Sequence, residues 1–355
     1  MKAPVNKGHF ELDTPERIQA FSRKMAVGWD QGEYAEYRRA WQENPEKQIV
    51  RDYPLQVDLE LSSVCNLNCP MCYTTTRRFE KEVNRGFMDI HLVQRIVDEV
   101  RGKVYALRLS YRGEPTLHPD FIQAIQYAKA AGIGEVSFLT NGSRLELDFF
   151  KEIQQAGADW ITVSVDGVGD VYNRIRTPLK FDQTLKELQD IHEYKTANSL
   201  VKPVIKVQTI WPAIRGNPQQ YYDLLAPVTD LVAFNPIIDY LGRDTDIVYE
   251  PDFYCPMPYQ RIPVLSSGKA VLCTADEYGT VCIGDATTER IHDLWHSEAM
   301  NRIRKMQAEK DGFKNLPVCR ECFYPRKTRV TETAMVNGIE VSIENYINRK
   351  QNIGQ

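Results

Sequence analysis

From Leu55 onward, short stretches of strand character alternate with longer stretches of helical period. Leu55 to Leu61 alternates apolar and polar residues, the pattern of a half-buried strand. Ala106 to Ser110, Glu135 to Leu139, Trp160 to Val165, Val204 to Ile210 and Leu231 to Asn235 are further strand candidates. Helical stretches fall between them, at Ile90 to Val100, Pro119 to Ala131, Leu147 to Ala156, Phe181 to Tyr194 and Gln219 to Leu225. Strands alternating with helices in this way predict an α/β fold with a parallel sheet and right-handed crossovers. In such folds the C-terminal strand ends carry the chemistry.

The flanking segments follow other patterns. Residues 1–52 predict a helical extension: Asp13-Thr14-Pro15-Glu16 offers a cap with proline in the first turn, and Ile18, Phe21 and Met25 recur at helical spacing. Trp29, Tyr34, Tyr37 and Trp41 continue the apolar face, so the extension is expected to pack on the main domain and help close its active site. Residues 53–250 are the core. In 251–325, Ile262 to Leu265 and Ala270 to Leu272 flank Ser266-Ser267-Gly268-Lys269 as a tight β-hairpin. A helix follows with Ile291, Leu294, Trp295, Met300 and Ile303 on one side. Residues 326–355, opening on Arg326-Lys327-Thr328-Arg329, read as a solvated tail.

The length of 355 residues allows one large domain and a smaller one, with 43% hydrophobic residues to fill a core. A formal charge of -4 argues against broad binding to nucleic acid. Met1 to Phe10 has no apolar signal core, and no apolar run approaches the ~18 residues of a membrane span. The expectation is a cytoplasmic protein without a membrane partner. There, thiols stay reduced, so eight cysteines confined to two groups invite metal centres.

The first group is Cys65-Asn66-Leu67-Asn68-Cys69-Pro70-Met71-Cys72. Structural zinc normally takes four protein ligands, whereas a 4Fe-4S cluster held by three cysteines keeps one iron for a non-protein ligand. A zinc knuckle and unconnected thiols are the alternatives. The C-x3-C-x2-C spacing resembles the radical S-adenosylmethionine (radical SAM) superfamily, in which SAM chelates the open iron and is reductively cleaved to a 5'-deoxyadenosyl radical. The family usually has an aromatic residue before the last cysteine; here Met71 stands there and Tyr73 follows. The resemblance implies a partial (β/α)6 barrel.

Polar motifs recur at the predicted strand ends. Tyr111-Arg112-Gly113-Glu114-Pro115 resembles the family's G-G-E-P turn with Arg112 in place of the first glycine. The resemblance implies that Gly113 lets the backbone approach a ligand and that Glu114 accepts from the SAM ammonium group. Thr140-Asn141-Gly142 and Ser164-Val165-Asp166-Gly167 follow later strands. Each alone is an ordinary turn pair, but the resemblance implies that Thr140, Asn141, Ser164 and Asp166 contact SAM. Arg176 is the implied partner of the SAM carboxylate, with Arg174 an alternative.

The second group is Cys255, Cys273, Cys282, Cys319 and Cys322. The region resembles the SPASM/twitch extension of radical SAM enzymes, in its shorter twitch form. Cys255, Cys273, Cys319 and Cys322 then supply one fully ligated auxiliary 4Fe-4S cluster, giving two clusters and SAM as cofactors. Zinc is the alternative for this set, since C-x2-C serves both metals. Cys282 is left over: a small buried hydrophobe, or a catalytic hydrogen-atom donor as in radical epimerases.

The chain resembles twitch-containing aminocyclitol dehydrogenases, which implies oxidation of a polar small molecule such as a sugar, aminocyclitol or amino-acid derivative, with an external one-electron donor such as flavodoxin or ferredoxin. Epimerisation through Cys282, peptide modification and a non-enzymatic metal scaffold are the competing readings. Tyr111, Arg112, Asn235, Asp239, Tyr240 and Arg243, at or beyond strand ends, are candidates for substrate contact.

Overall fold

The structure is a computed structural model that describes residues 10–30, 32–235, 246–348 and 353. Its centre is a run of parallel strands: β2 (Gln56–Leu59), β3 (Ala106–Arg108), β4 (Glu135–Thr140), β5 (Trp160–Ser164), β6 (Val204–Ile210) and β7 (Leu231–Asn235), following a two-residue β1 (Phe10–Glu11). Helices Ile90–Val100, Phe121–Ala130, Leu147–Ala156, Phe181–Ala197 and Pro218–Leu225 make the crossovers, as the alternation of periods predicts. β1 pairs antiparallel with β7.

The pleat sorts side chains by polarity. Val57, Leu59, Leu107, Val136, Phe138, Ile161, Val163, Ile205, Val207, Val232 and Phe234 belong to the helix-packed core. Successive strand residues point to opposite faces, so Asp58, Arg108, Ser137, Thr162, Ser164, Lys206 and Gln208 share the inner face. These polar side chains share the face with Leu139, Trp160, Val204 and Leu231, and Asp58, Ser137, Thr162 and Lys206 among them are buried.

The N-terminal extension forms α1 (Pro15–Met25) and α2 (Glu33–Glu46). Tyr37, buried on α2, stacks on Tyr105 at 5.1 Å and donates to Gln56 Oε1 at 3.2 Å. Trp29 lies so close to Gly134 that a Cβ there would sit 2.6 Å from its ring. Tyr105, Gly134 and Gln56 precede or begin their strands, so the extension seals the N-terminal end of the sheet. That corrects the expectation that it helps close the active site, which lies at the opposite end.

The C-terminal region continues the same sheet. β8 (Arg261–Val264) pairs parallel with β2, and β9 (Lys269–Val271) and β10 (Cys282–Asp285) follow antiparallel, giving among the described residues a ten-stranded sheet ordered β1-β7-β6-β5-β4-β3-β2-β8-β9-β10. The predicted hairpin is β8–β9. It turns at Gly268, whose φ of 88° suits glycine and where a Cβ would meet Thr287 at 2.3 Å.

The described residues 326–348 are not a solvated tail. β11 (Thr328–Val336) and β12 (Ile339–Tyr346) form an antiparallel hairpin that buries Val336, Ile343 and Tyr346. Its turn is Asn337-Gly338, both at positive φ, a two-residue hairpin signal present in the sequence. Arg326 is buried and donates to the carbonyls of Glu321 and Cys322. Among the described residues no helix is long and apolar enough to cross a membrane.

Candidate active site

The cluster loop begins where β2 ends. Cys69 is buried and Cys65 and Cys72 are half-buried; none is in a disulfide. Burial pushes the Cys69 thiol up to about 11, against the pull of nearby Arg176, and raises Cys65 as well. Thiols so placed hold their protons in the absence of a metal and release them when a metal binds the sulfur.

The turn after β3 is fitted to this loop. Gly113 has φ 62°, and a Cβ there would lie 2.6 Å from the carbonyl oxygens of both Ser62 and Val64. Glu114 N donates to Val64 O at 2.8 Å. The close approach that Gly113 permits is thus to the backbone of the cluster loop, where the sequence suggested a ligand.

Glu114 is fully buried, and its carboxylate accepts four bonds from the chain itself: Thr116 N at 3.2 Å, Thr116 Oγ1 at 2.7 Å, Thr140 Oγ1 at 2.7 Å and Asn141 N at 2.6 Å. In this arrangement Glu114 ties the β3 and β4 turns together. Asn141 extends the group to the cluster loop through Asn66 Oδ1 at 2.9 Å and the Cys65 sulfur at 3.8 Å.

Asp166 is buried and pairs with Arg176 at 2.5 Å while accepting from Ile210 N at 3.0 Å. Arg174 is exposed, so of the two arginines Arg176 is the one inside the site. Its guanidinium is already paired with Asp166, which the sequence had assigned separately. Ser164 ends β5 on the inner face and, among the described residues, stands outside these hydrogen-bonded groups.

Cys255, Cys273, Cys319 and Cys322 converge on one cavity lined also by Phe253, Met257, Leu272, Phe313, Val318 and Tyr324. Tyr324 N donates to Cys322 Sγ at 3.4 Å and Gln307 Nε2 to Cys319 Sγ at 3.5 Å. Burial pushes Cys255 and Cys322 up to about 12.

The two cysteine sites share a wall. Tyr111 Oη donates to Asp276 O at 2.6 Å and Cys273 O at 3.2 Å. Arg112 pairs with buried Glu60 through two nitrogens, one at 2.7 Å, and donates to Glu277 O at 3.2 Å. Both were candidates for substrate contact; the structure uses them to join the two loops. Tyr73 and Tyr278 add an aromatic contact at 6.4 Å. Asp239, Tyr240 and Arg243 lie outside the described residues, while Asn235 ends β7 with a buried Oδ1 that has no partner among the described residues. Cys282 is exposed on β10, the outermost strand, with its thiol directed to Gly284 O at 3.3 Å. The expected small buried hydrophobe is therefore not found there.

Arg108 and Lys206 were missed at the level of sequence. Their signal was a charged residue at an alternate position of an apolar strand. Burial, helped by Arg108, pushes Lys206 down to about 7, with Glu11 acting the other way.

Comparison with known proteins agrees with this geometry. The radical SAM superfamily matches residues 59–214, and the SPASM iron-sulfur cluster-binding domain matches 255–323. The tungsten-containing aldehyde ferredoxin oxidoreductase cofactor-modifying protein of Pyrococcus furiosus is 30% identical over 156 residues, 43% of this chain and 42% of that one. The chain spans less than half the length of the curated relatives it matches. Among solved structures, BtrN in complex with AdoMet and 2-DOIA has a TM-score of 0.54 at 15% identity, covering 78% of this chain and 94% of BtrN. Streptococcus suis SuiB bound to precursor peptide SuiA has a TM-score of 0.53 at 14% identity, covering 82% and 75%. These two likenesses are of fold. The domain matches imply 4Fe-4S clusters, which the three- and four-cysteine sets fit. The chain belongs to the radical SAM superfamily and carries a C-terminal SPASM domain.

Proposed function

We propose that this protein dehydrogenates a polar small molecule, such as a sugar, an aminocyclitol or an amino-acid derivative. The observation that carries the reading is the junction at Tyr111 and Arg112, which fixes a four-cysteine site beside the cluster loop, over an inner face that carries Asp58, Arg108 and Lys206. When bound, the clusters and SAM supply a carbon-centred radical that removes a hydrogen atom and an acceptor for the second electron. The chain's own residues position the substrate and exclude water. Arg108 and Lys206 on the inner face suit a substrate rich in oxygen acceptors, and the free lone pairs of Asn235 Oδ1 suit a substrate hydroxyl. Cys282 is exposed at the outer edge of the sheet, a poor place from which to return a hydrogen atom to a shielded radical, so its position favours oxidation over epimerisation. An external one-electron donor of the flavodoxin or ferredoxin type completes the reading.

The test is anaerobic reconstitution with SAM and a strong reductant, followed by addition of fractionated polar metabolites. A fraction should accelerate 5'-deoxyadenosine formation and yield a product lighter by two hydrogens. A product of unchanged composition carrying solvent deuterium, or acceleration by peptides alone, overturns the proposal.

A further inference from the structure

Away from both cysteine sites, Asp52, His292 and His296 place one ligand atom each within 4.8 Å of one another. Asp52 lies in the segment leading into β2, which carries the cluster loop. His292 belongs to the short helix Ile291–Trp295 of the C-terminal region and His296 caps it, so the two imidazoles rise from one face four residues apart. We propose that these three side chains bind one divalent transition cation of borderline softness, zinc above all, which clamps the C-terminal region to the core.

The hydrogen bonding of His292 supports this. Its Nδ1 faces Asp293 Oδ1 at 3.1 Å and its Nε2 faces Asp52 Oδ1 at 3.2 Å. A neutral imidazole has one N–H and can satisfy only one of these carboxylates. The other contact then sets a lone pair against a carboxylate oxygen, which requires a cation between them, either a second proton on the ring or a metal ion. With Nδ1–H donating to Asp293, Nε2 is the free ligand, the carboxylate–histidine–metal arrangement that fixes a ligating ring. Metal–nitrogen bonds of about 2.0 Å put neighbouring ligand atoms about 3.3 Å apart, close to the spacing of Nε2 and Oδ1. His296 stands beside them, its ring 4.8 Å from that of His292 and its Nε2 3.0 Å from Asp52 O. Two nitrogens and one carboxylate leave coordination positions for water, a donor set suited to zinc, nickel or copper rather than to calcium or magnesium.

Hydrogen bonds tie together the segments that carry these groups. Glu99 accepts from Ile291 N and His292 N, both at 2.9 Å, and Trp295 Nε1 donates to Arg51 O at 2.9 Å. A bound cation would add a tie between the same two segments and stabilise the folded state by mass action.

The experiment uses the full chain with both clusters loaded, so that the seven cluster cysteines are occupied. Zinc is titrated against a chromophoric chelator, and thermal unfolding is followed with and without zinc. The wild type should bind one equivalent and unfold at higher temperature with zinc. His292→Gln/His296→Gln should lose that equivalent and the thermal shift, and Asp293→Asn should bind about tenfold more weakly. Should the double variant fail to load its clusters, Asp52→Asn at an exposed position replaces it, and Cu2+ bound to the wild type should show hyperfine coupling to two imidazole nitrogens. Absence of a saturable equivalent, an affinity unchanged in the variants, or copper without that coupling overturns the proposal and leaves the reading of the active site untouched.

Discussion

The hydroxyl of Tyr111 donates to the backbone carbonyl of Asp276 at 2.6 Å, linking the turn that packs on the first cluster loop to the loop that carries Cys273. The phenol thus helps to set the relative position of two sites nearly 200 residues apart in sequence, alongside Arg112 and the β8–β2 pairing. Tyr111→Phe removes the link at a cost of about 1 kcal/mol, a loss of a few degrees in thermal unfolding. Iron content and substrate-free cleavage of SAM should stay near wild type, while the ratio of 5'-deoxyadenosine to product rises. An unchanged ratio would show that the link is structural only.

Gly113 meets two constraints at once, a left-handed backbone and contact with two carbonyl oxygens. Gly113→Ala adds a Cβ at 2.6 Å from Ser62 O and Val64 O, and backbone must move to admit it. The strain is about 1–3 kcal/mol, and it falls on the cluster loop. Iron bound by the three-cysteine site should drop while the four-cysteine site stays loaded, a separation that Mössbauer or EPR spectra of the reconstituted variant would register. Full occupancy and normal SAM cleavage would show that the loop relaxes around the methyl group.

Arg112 and Glu60 are both buried and bound through two hydrogen bonds. Arg112→Met leaves the Glu60 carboxylate without its counter-charge, a loss of about 3–5 kcal/mol for a buried pair. Adding Glu60→Leu should recover much of that loss, though not all, because Glu60 also accepts from Ser266 N at 2.8 Å. Denaturant unfolding of the two single variants and the double variant reads this directly. A double variant less stable than Arg112→Met would contradict the assignment of the cost to an unpaired charge.

The parts of the fold legible in the sequence are those with a strong local period or a fixed spacing. The strands and helices of the core fall within a few residues of their expected positions because burial on the helix side demands Val57, Leu107, Val136, Ile161, Ile205 and Val232 in period two. The two cysteine groups stood out in the sequence, the first through its C-x3-C-x2-C spacing and the second through the resemblance to the SPASM/twitch extension. Three features were not. Tyr111 and Arg112 look like strand-end residues free to face a ligand, and only the continuity of β8 with β2 brings the Cys273 loop within their reach. The roles of Glu114 and Arg176 depend on partners 26 and 10 residues away, Thr140 and Asp166, which the turn motifs hold without announcing the pairing. The Thr328–Tyr346 hairpin was legible through Asn337-Gly338 and was overshadowed by the basic run before it.

Lys206 gives the inner face a pH signature. Its ordinary value is 10.5, and in the folded state burial, with Arg108 nearby, pushes it down to about 7. Below about 7 both folded and unfolded chains carry the proton, and the folded state bears the cost of burying the ammonium, reduced by what its partners return. Between about 7 and 10.5 the folded chain has released the proton and the unfolded chain has not, so the unfolded state binds more protons and stability rises with pH. The rise from this one group is bounded at about 1.4 kcal/mol per pH unit. Lys206→Met should therefore stabilise the protein most at or below neutral pH and flatten its stability curve above it, offset in part by the loss of attraction to Glu11. Anaerobic denaturant unfolding of both proteins at about pH 6 and about pH 9 measures the difference. Wild type and variant curves that run parallel across that interval would show that Lys206 keeps its proton in the fold, with an anionic partner on the inner face holding it charged.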